Sequence, residues 1–151
     1  MQNLPEEKSV KLAVVEDDKL YIYWLKNILQ NTKIDLVSEA LSGEEAIHKI
    51  PETKPDIVLM DIGLPDIDGI EVTRRITEKK YNLKVIMITH HTSKEEALEA
   101  IAAGASAYAR KEIEPEHLLM VIQTVKKGAV WFDPAVGDLF LANFIKGYRG
   151  D

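Results

Sequence analysis

Five short, predominantly apolar runs, each followed by a stretch of helical periodicity, constrain this chain more than any other feature of its sequence. The runs are residues 10–15, 34–41, 56–60, 83–88 and 106–109. Strands that are apolar at nearly every position have both faces covered, which is the state of a parallel sheet rather than a hairpin sheet with one wet face. Five strand–helix units in succession therefore predict a doubly wound α/β fold, a five-stranded parallel sheet with helices on both faces. The helices carry their own start and stop signals. Asp17 or Asp18 caps a first helix running to about residue 31, with Tyr21, Trp24, Leu25, Ile28 and Leu29 on one face. Ser42 with Glu45, and Ser93 with Glu96, make capping-box patterns, and Gly104 closes the helix opened by the second pair. Pro51 and Pro55 bracket a loop, and a third helix spans about 70–79 after a turn-rich stretch. Pro115 opens the fifth helix, which ends at Lys126-Lys127-Gly128. From Asp133-Pro134 a last amphipathic segment places Val136, Leu139, Phe140 and Phe144 at helical spacing.

At 151 residues the chain is long enough for one core-bearing domain, and it has no cysteine, which removes disulfide, thiolate and Cys-zinc chemistry. Its net charge of −6 argues against a nucleic-acid surface spread over this chain. No run reaches the ~18 apolar residues of a membrane span, and residues 1–8 lack the apolar stretch of a secretory signal. A cytoplasmic setting with no membrane role is the expectation.

In an open α/β sheet, ligands bind beyond the carboxyl ends of the strands. Glu16, Asp17 and Asp18 follow the first strand, Asp61 the third, Thr89 the fourth and Lys111 the fifth. Each alone reads as a cap, a strand end or a surface lysine. Together they bring carboxylates, a hydroxyl and an ammonium to one edge. Three neighbouring carboxylates repel one another unless a cation enters, and hard oxygen ligands suit Mg²⁺. Metal and ammonium would spread the charge of a transferring phosphoryl group, and an Asp nucleophile would carry it as an acyl phosphate. A metal pair of His90 and His91 is disfavoured, because adjacent strand-end residues point apart. There is no P-loop, no GxGxxG after the first strand and no G-x-S-x-G elbow, so the phosphoryl group must arrive on a donor.

Four stretches carry a resemblance: Val14-Val15-Glu16-Asp17-Asp18, residues 59–71 from Leu59-Met60-Asp61 to Gly69-Ile70-Glu71, Val85-Ile86-Met87-Ile88-Thr89, and Gly104-Ala105-Ser106-Ala107-Tyr108-Ala109-Arg110-Lys111. In order and spacing they resemble the receiver domain of two-component response regulators over about residues 10–128. Glu112 after Lys111, where many receivers have proline, is similar to the NarL/FixJ (LuxR-type) subfamily. The resemblance implies a flavodoxin-like receiver at 10–128, followed by a linker and C-terminal helical extension at 129–151. It implies Asp61 as phosphoacceptor, with Glu16, Asp17, Asp61 and the Gly63 carbonyl holding Mg²⁺. Thr89 and Lys111 would contact the phosphoryl group, and Tyr108 would move with Thr89. A sensor histidine kinase is the implied donor, and no enzymatic role is expected beyond Mg²⁺-dependent self-phosphorylation and dephosphorylation. His90, where a small residue is common, would narrow access to the site.

Residues 130–134, Val-Trp-Phe-Asp-Pro, are similar to the linker that precedes a LuxR-type DNA-binding domain, and no such domain follows before Asp151. The chain thus reads as the receiver part of a transcription regulator, reaching DNA only through a further domain. The alternative is a stand-alone or phosphorylation-independent receiver acting as an interaction module. An Asp-nucleophile phosphohydrolase of the haloacid-dehalogenase kind needs a second Asp two residues on, where Gly63 stands. Lys111→Ala is expected to leave folding largely intact. Finally, if Tyr21 and Trp24 face the sheet, Ile22 and Tyr23 point outward. On the fifth helix Leu119, Met120 and Val121 do the same, forming a patch for a homodimer unless residues 134–146 fold back over it.

Overall fold

The computed structural model describes residues 9–150, apart from the side chains at 135, 139, 140 and 143. Leu139 and Phe140 of the last amphipathic segment, and the N-terminal residues 1–8, therefore lie outside the described parts. The apolar runs form strands β1 (Val10–Val15), β2 (Ile34–Ala40), β3 (Ile57–Asp61), β4 (Lys84–Thr89) and β5 (Ala107–Arg110). Helices α1 (Lys19–Leu29), α2 (Gly43–Thr53), α3 (Gly69–Glu78), α4 (Lys94–Ala102) and α5 (Pro115–Lys126) alternate with them. All strand pairs are parallel, in the order β2-β1-β3-β4-β5, with a sixth strand beyond β5.

The sixth strand is the main departure from the sequence reading. β6 (Trp131–Phe132) pairs with Ala107 and Tyr108 of β5, and α6 (Pro134–Arg149) follows it. Two residues are too few to show a period, so only the hydrogen bonds reveal the strand: Trp131 N–H donates to the Ser106 carbonyl at 3.1 Å and Asp133 N–H to the Tyr108 carbonyl at 2.9 Å. Pro51 also differs, lying inside α2 instead of opening a loop.

Alternating side chains divide the core between the two faces of the sheet. Leu12, Val14, Leu59, Ile86 and Ile88 pack against α1 and α5, while Ala13, Val15, Met60, Met87 and Tyr108 pack against α2, α3 and α4. Val136 of α6 joins the second layer, and α6 packs on α4. Among the described residues the tail lies on the face of the sheet opposite α1 and α5.

The outward patch is smaller than the periodicity suggested. Ile22 is buried at 6% exposure and Val121 at 0%. On α1 the fully packed stripe is Ile22, Leu25 and Leu29, flanked by the half-buried Tyr21, Trp24 and Ile28. Six apolar residues spread over a wide arc leave the centre of the stripe undefined by period alone. Tyr23 and Met120 are exposed, and Leu119 is half-buried. Among the described residues no helix is long and apolar enough to cross a membrane.

Candidate functional site

The order β2-β1-β3 makes the crevice between β1 and β3 the switch point, where chain connections diverge and ligands are received. β1 ends into Glu16 and Asp17, and β3 ends at Asp61 in the next register. Asp18 leaves the acidic group to cap α1, its carboxylate accepting from Leu20 N–H at 3.0 Å. Glu16, Asp17 and Asp61 each offer an oxygen within 4.8 Å of the others, and this is the group of three or more metal-ligating side chains among the described residues. Glu16 and Asp61 are buried while Asp17 is exposed. With Asp18, Gly63, Thr89, His90, His91, Glu96 and Lys111 they line a cleft of about 360 Å³.

Lys111 is no surface lysine. Its side chain is 6% exposed, and its ammonium lies 2.8 Å from Glu16 Oε2, 3.0 Å from Glu16 Oε1 and 3.6 Å from Asp61 Oδ1. Burial raises the Glu16 pKa, with the Asp61 charge acting the same way and the Lys111 hydrogen bond opposing both. Glu16 Oε2 is buried with no properly angled hydrogen bond, so the acid retains an acceptor for a cation. An oxygen-only acidic donor set of three carboxylates fits Mg²⁺.

The backbone around Asp61 is held closely. Gly63 N–H donates to Asp61 Oδ1 at 3.2 Å. A Cβ on Gly69 would sit 2.1 Å from the Asp61 carbonyl oxygen, so only glycine lets α3 start against the strand end. Asp66 ties this loop to α2, its two oxygens accepting from Gly43 N–H at 2.8 Å and Glu44 N–H at 2.9 Å.

Thr89 lines the cleft, but its hydroxyl bonds the His91 backbone, donating to the carbonyl at 3.1 Å and accepting from the amide at 3.3 Å. Tyr108 lies behind the cleft, fully buried, its hydroxyl donating to Glu96 at 3.4 Å and accepting from Ser93 N–H at 3.3 Å. Sequence reasoning brought together Glu16, Asp17, Asp61, Gly63, Thr89 and Lys111, and the structure places all six on one cleft. It missed Glu96, read only as a capping residue, and Asp66, which carries no local signal. Tyr21 was read as core. Gly69 carries no signal beyond its place in the turn-rich stretch before the third helix.

A family profile described as "Response regulator receiver domain" matches residues 12–123. Among curated proteins, the chain is 27% identical over 150 residues to the "Transcriptional regulatory protein DegU" of Brevibacillus brevis, covering 99% of this chain and 62% of the relative. It is 34% identical over 125 residues to the "DNA-binding transcriptional activator DevR/DosR" of Mycobacterium tuberculosis, covering 82% of this chain and 58% of that protein. The chain thus spans about three-fifths of the length of these relatives. A solved two-component response regulator of the LuxR family from Aurantimonas sp. SI85-9A1 superposes with a TM-score of 0.82 at 29% identity, covering 91% of this chain and 99% of that structure. With the profile spanning most of its length and the acidic cleft at the switch point of its sheet, the chain belongs to the receiver domain family of two-component response regulators.

Proposed function

We propose that this chain is a phosphorylation-controlled switch in which Asp61 accepts a phosphoryl group from a sensor histidine kinase in the cytoplasm. The observation that carries the reading is the buried Lys111 ammonium set between Glu16 and Asp61 at the mouth of an acidic cleft. A carboxylate oxygen of Asp61 attacks phosphorus, the phosphorus–nitrogen bond of the phosphohistidine breaks, and the imidazole departs with the bonding pair. Glu16, Asp17, Asp61 and the Gly63 carbonyl would hold Mg²⁺, whose charge offsets the repulsion between the dianionic group and the carboxylates. Lys111 already stands beside Asp61, and Gly63 N–H supports the same carboxylate. Thr89 must give up its bond to the His91 carbonyl to reach a phosphoryl oxygen, which couples the β4–α4 loop to the phosphorylation state.

Residues 10–128 act as the receiver and 129–151 as the extension towards a DNA-binding domain, as in transcription regulators of the relatives' kind. The chain has no enzymatic role beyond Mg²⁺-dependent chemistry on its own aspartate. A homodimer through α1 and α5 uses Tyr23, Leu119 and Met120 without Ile22, since Ile22 is packed inside. Met120→Asp changes an exposed member of that patch, and sedimentation with and without beryllofluoride reads its effect. Intact mass after acetyl phosphate treatment tests the central step. One added phosphoryl group is expected with Mg²⁺ and none without it. Undiminished labelling of Asp61→Asn overturns the assignment.

A further inference from the structure

Among the described side chains the Tyr21 hydroxyl oxygen is buried with no hydrogen-bond partner, and Glu16 Oε2, 2.8 Å from the Lys111 ammonium, has no properly angled hydrogen bond. Both belong to residues that flank the Lys111 ammonium, which lies 5.2 Å from the centre of the Tyr21 ring. A lysine head on four flexible carbons has no preferred direction of its own, unlike a guanidinium fork. Three anionic oxygens draw the Lys111 head from the side of Glu16 and Asp61. The ring face supplies attraction from another direction, within the ~6 Å at which an aromatic quadrupole holds a cation. It adds no carboxylate to compete with an incoming phosphoryl group. Trp24 braces the ring at 5.2 Å between centroids and 44° between planes. Because the Tyr21 hydroxyl is buried and unbonded, the ring is the part of this side chain that acts.

We propose that Tyr21 is a positioning residue of the phosphoryl site, its ring face keeping the Lys111 ammonium between Glu16 and Asp61, where the charge of the phosphoryl group arrives. The inference rests on the reading that Lys111 contacts that group. Burial, with the charges of Glu16 and Asp61, raises the Tyr21 pKa, so the ring stays neutral and keeps its hydroxyl proton.

Three replacements separate ring from hydroxyl: Tyr21→Phe, Tyr21→Leu, and pentafluorophenylalanine at position 21, which keeps the shape and reverses the quadrupole. NMR of the Lys111 methylene next to the ammonium, in metal-free protein, reads position without any phosphoryl chemistry. The ring-current displacement is expected in wild type and in Tyr21→Phe, and lost in the other two. Phosphorylation by acetyl phosphate with Mg²⁺ is expected within about twofold of wild type for Tyr21→Phe and roughly five- to tenfold slower for the other two. Unmoved Lys111 signals or unchanged rates in the pentafluoro protein overturn the proposal, as does a Tyr21→Phe protein that behaves like it. The pentafluoro protein preserves packing, so the test survives if Tyr21→Leu fails to fold. A displaced wild-type Lys111 signal with no phosphoryl uptake instead sinks the reading of the site and leaves the placement of Lys111 standing.

Discussion

The Tyr108 hydroxyl donates to Glu96 across 3.4 Å, joining the inner strand β5 to the first turn of α4. A capping-box Glu ordinarily reaches back to the cap residue's own amide. Here the Ser93 amide donates to the Tyr108 hydroxyl instead, so the phenol completes the cap and α4 is tied to the aromatic. Burial raises the Glu96 pKa, a cost that the Tyr108 hydrogen bond opposes. Glu96→Ala leaves Tyr108 without its acceptor and is expected to cost about 1 kcal/mol, roughly 2–4 °C in Tm. Thermal melting and the Tyr108 ring signals report it. A melt and ring signals identical to wild type would show that the bond does not hold Tyr108.

Lys111→Ala removes the cation that faces two buried carboxylates, so its cost falls on folding as well as on switching. The expectation from sequence, that folding would be largely intact, counts the loss of one charge-assisted contact and no core packing. With 6% exposure on Lys111 and 0% on Glu16, a loss of about 3 kcal/mol is expected, since breaking a buried pair leaves its partner uncompensated. Much of the loss should return on adding Mg²⁺, which binds only the folded cluster. Calorimetry with and without the metal measures both. Equal stability of variant and wild type in the absence of Mg²⁺ would count against the pairing.

Asp66 gives a pH signature. The amides of Glu44 and Gly43 hold its carboxylate well below the ordinary value of 3.8, at about 2. A depressed folded pKa means stability that is fully present above the unfolded value and lost as pH falls through the folded one. In melts from pH 6 down to 2, Asp66→Asn should lie furthest below wild type above about pH 4 and converge with it as pH approaches 2. A gap constant with pH would remove the charge from the explanation.

The Arg110–Asp133 ion pair, 2.9 Å from Nε to Oδ2, closes β6 onto β5 beside the Tyr108 backbone. Arg110→Ala is expected to speed hydrogen exchange at the Trp131 and Asp133 amides, which bond the Ser106 and Tyr108 carbonyls. Amides of β1 to β4 should keep their protection. Unchanged exchange at 131 and 133 would show that the ladder holds without the pair.

The alternating units, the parallel sheet and the acidic edge are all legible in the order of residues. Continuous apolar runs such as Val85–Ile88 admit few alternatives, and in a parallel sheet every strand's carboxyl end faces the same way. The strand ends alone therefore bring Glu16, Asp61, Thr89 and Lys111 to one edge. Other features depend on how segments far apart in the chain meet in space. β6 is defined by two backbone bonds to β5, and no period exists in two residues. Ile22 is packed inward because the rotation of α1 follows from the surface it meets, and six apolar residues allow more than one rotation. Lys111, Tyr21 and Glu16 are 95 residues apart at the extremes of that span, and their contact is a property of neighbouring strand ends. A one-dimensional pattern records which face a side chain prefers; whether a charge or an aromatic ring waits there is set by packing.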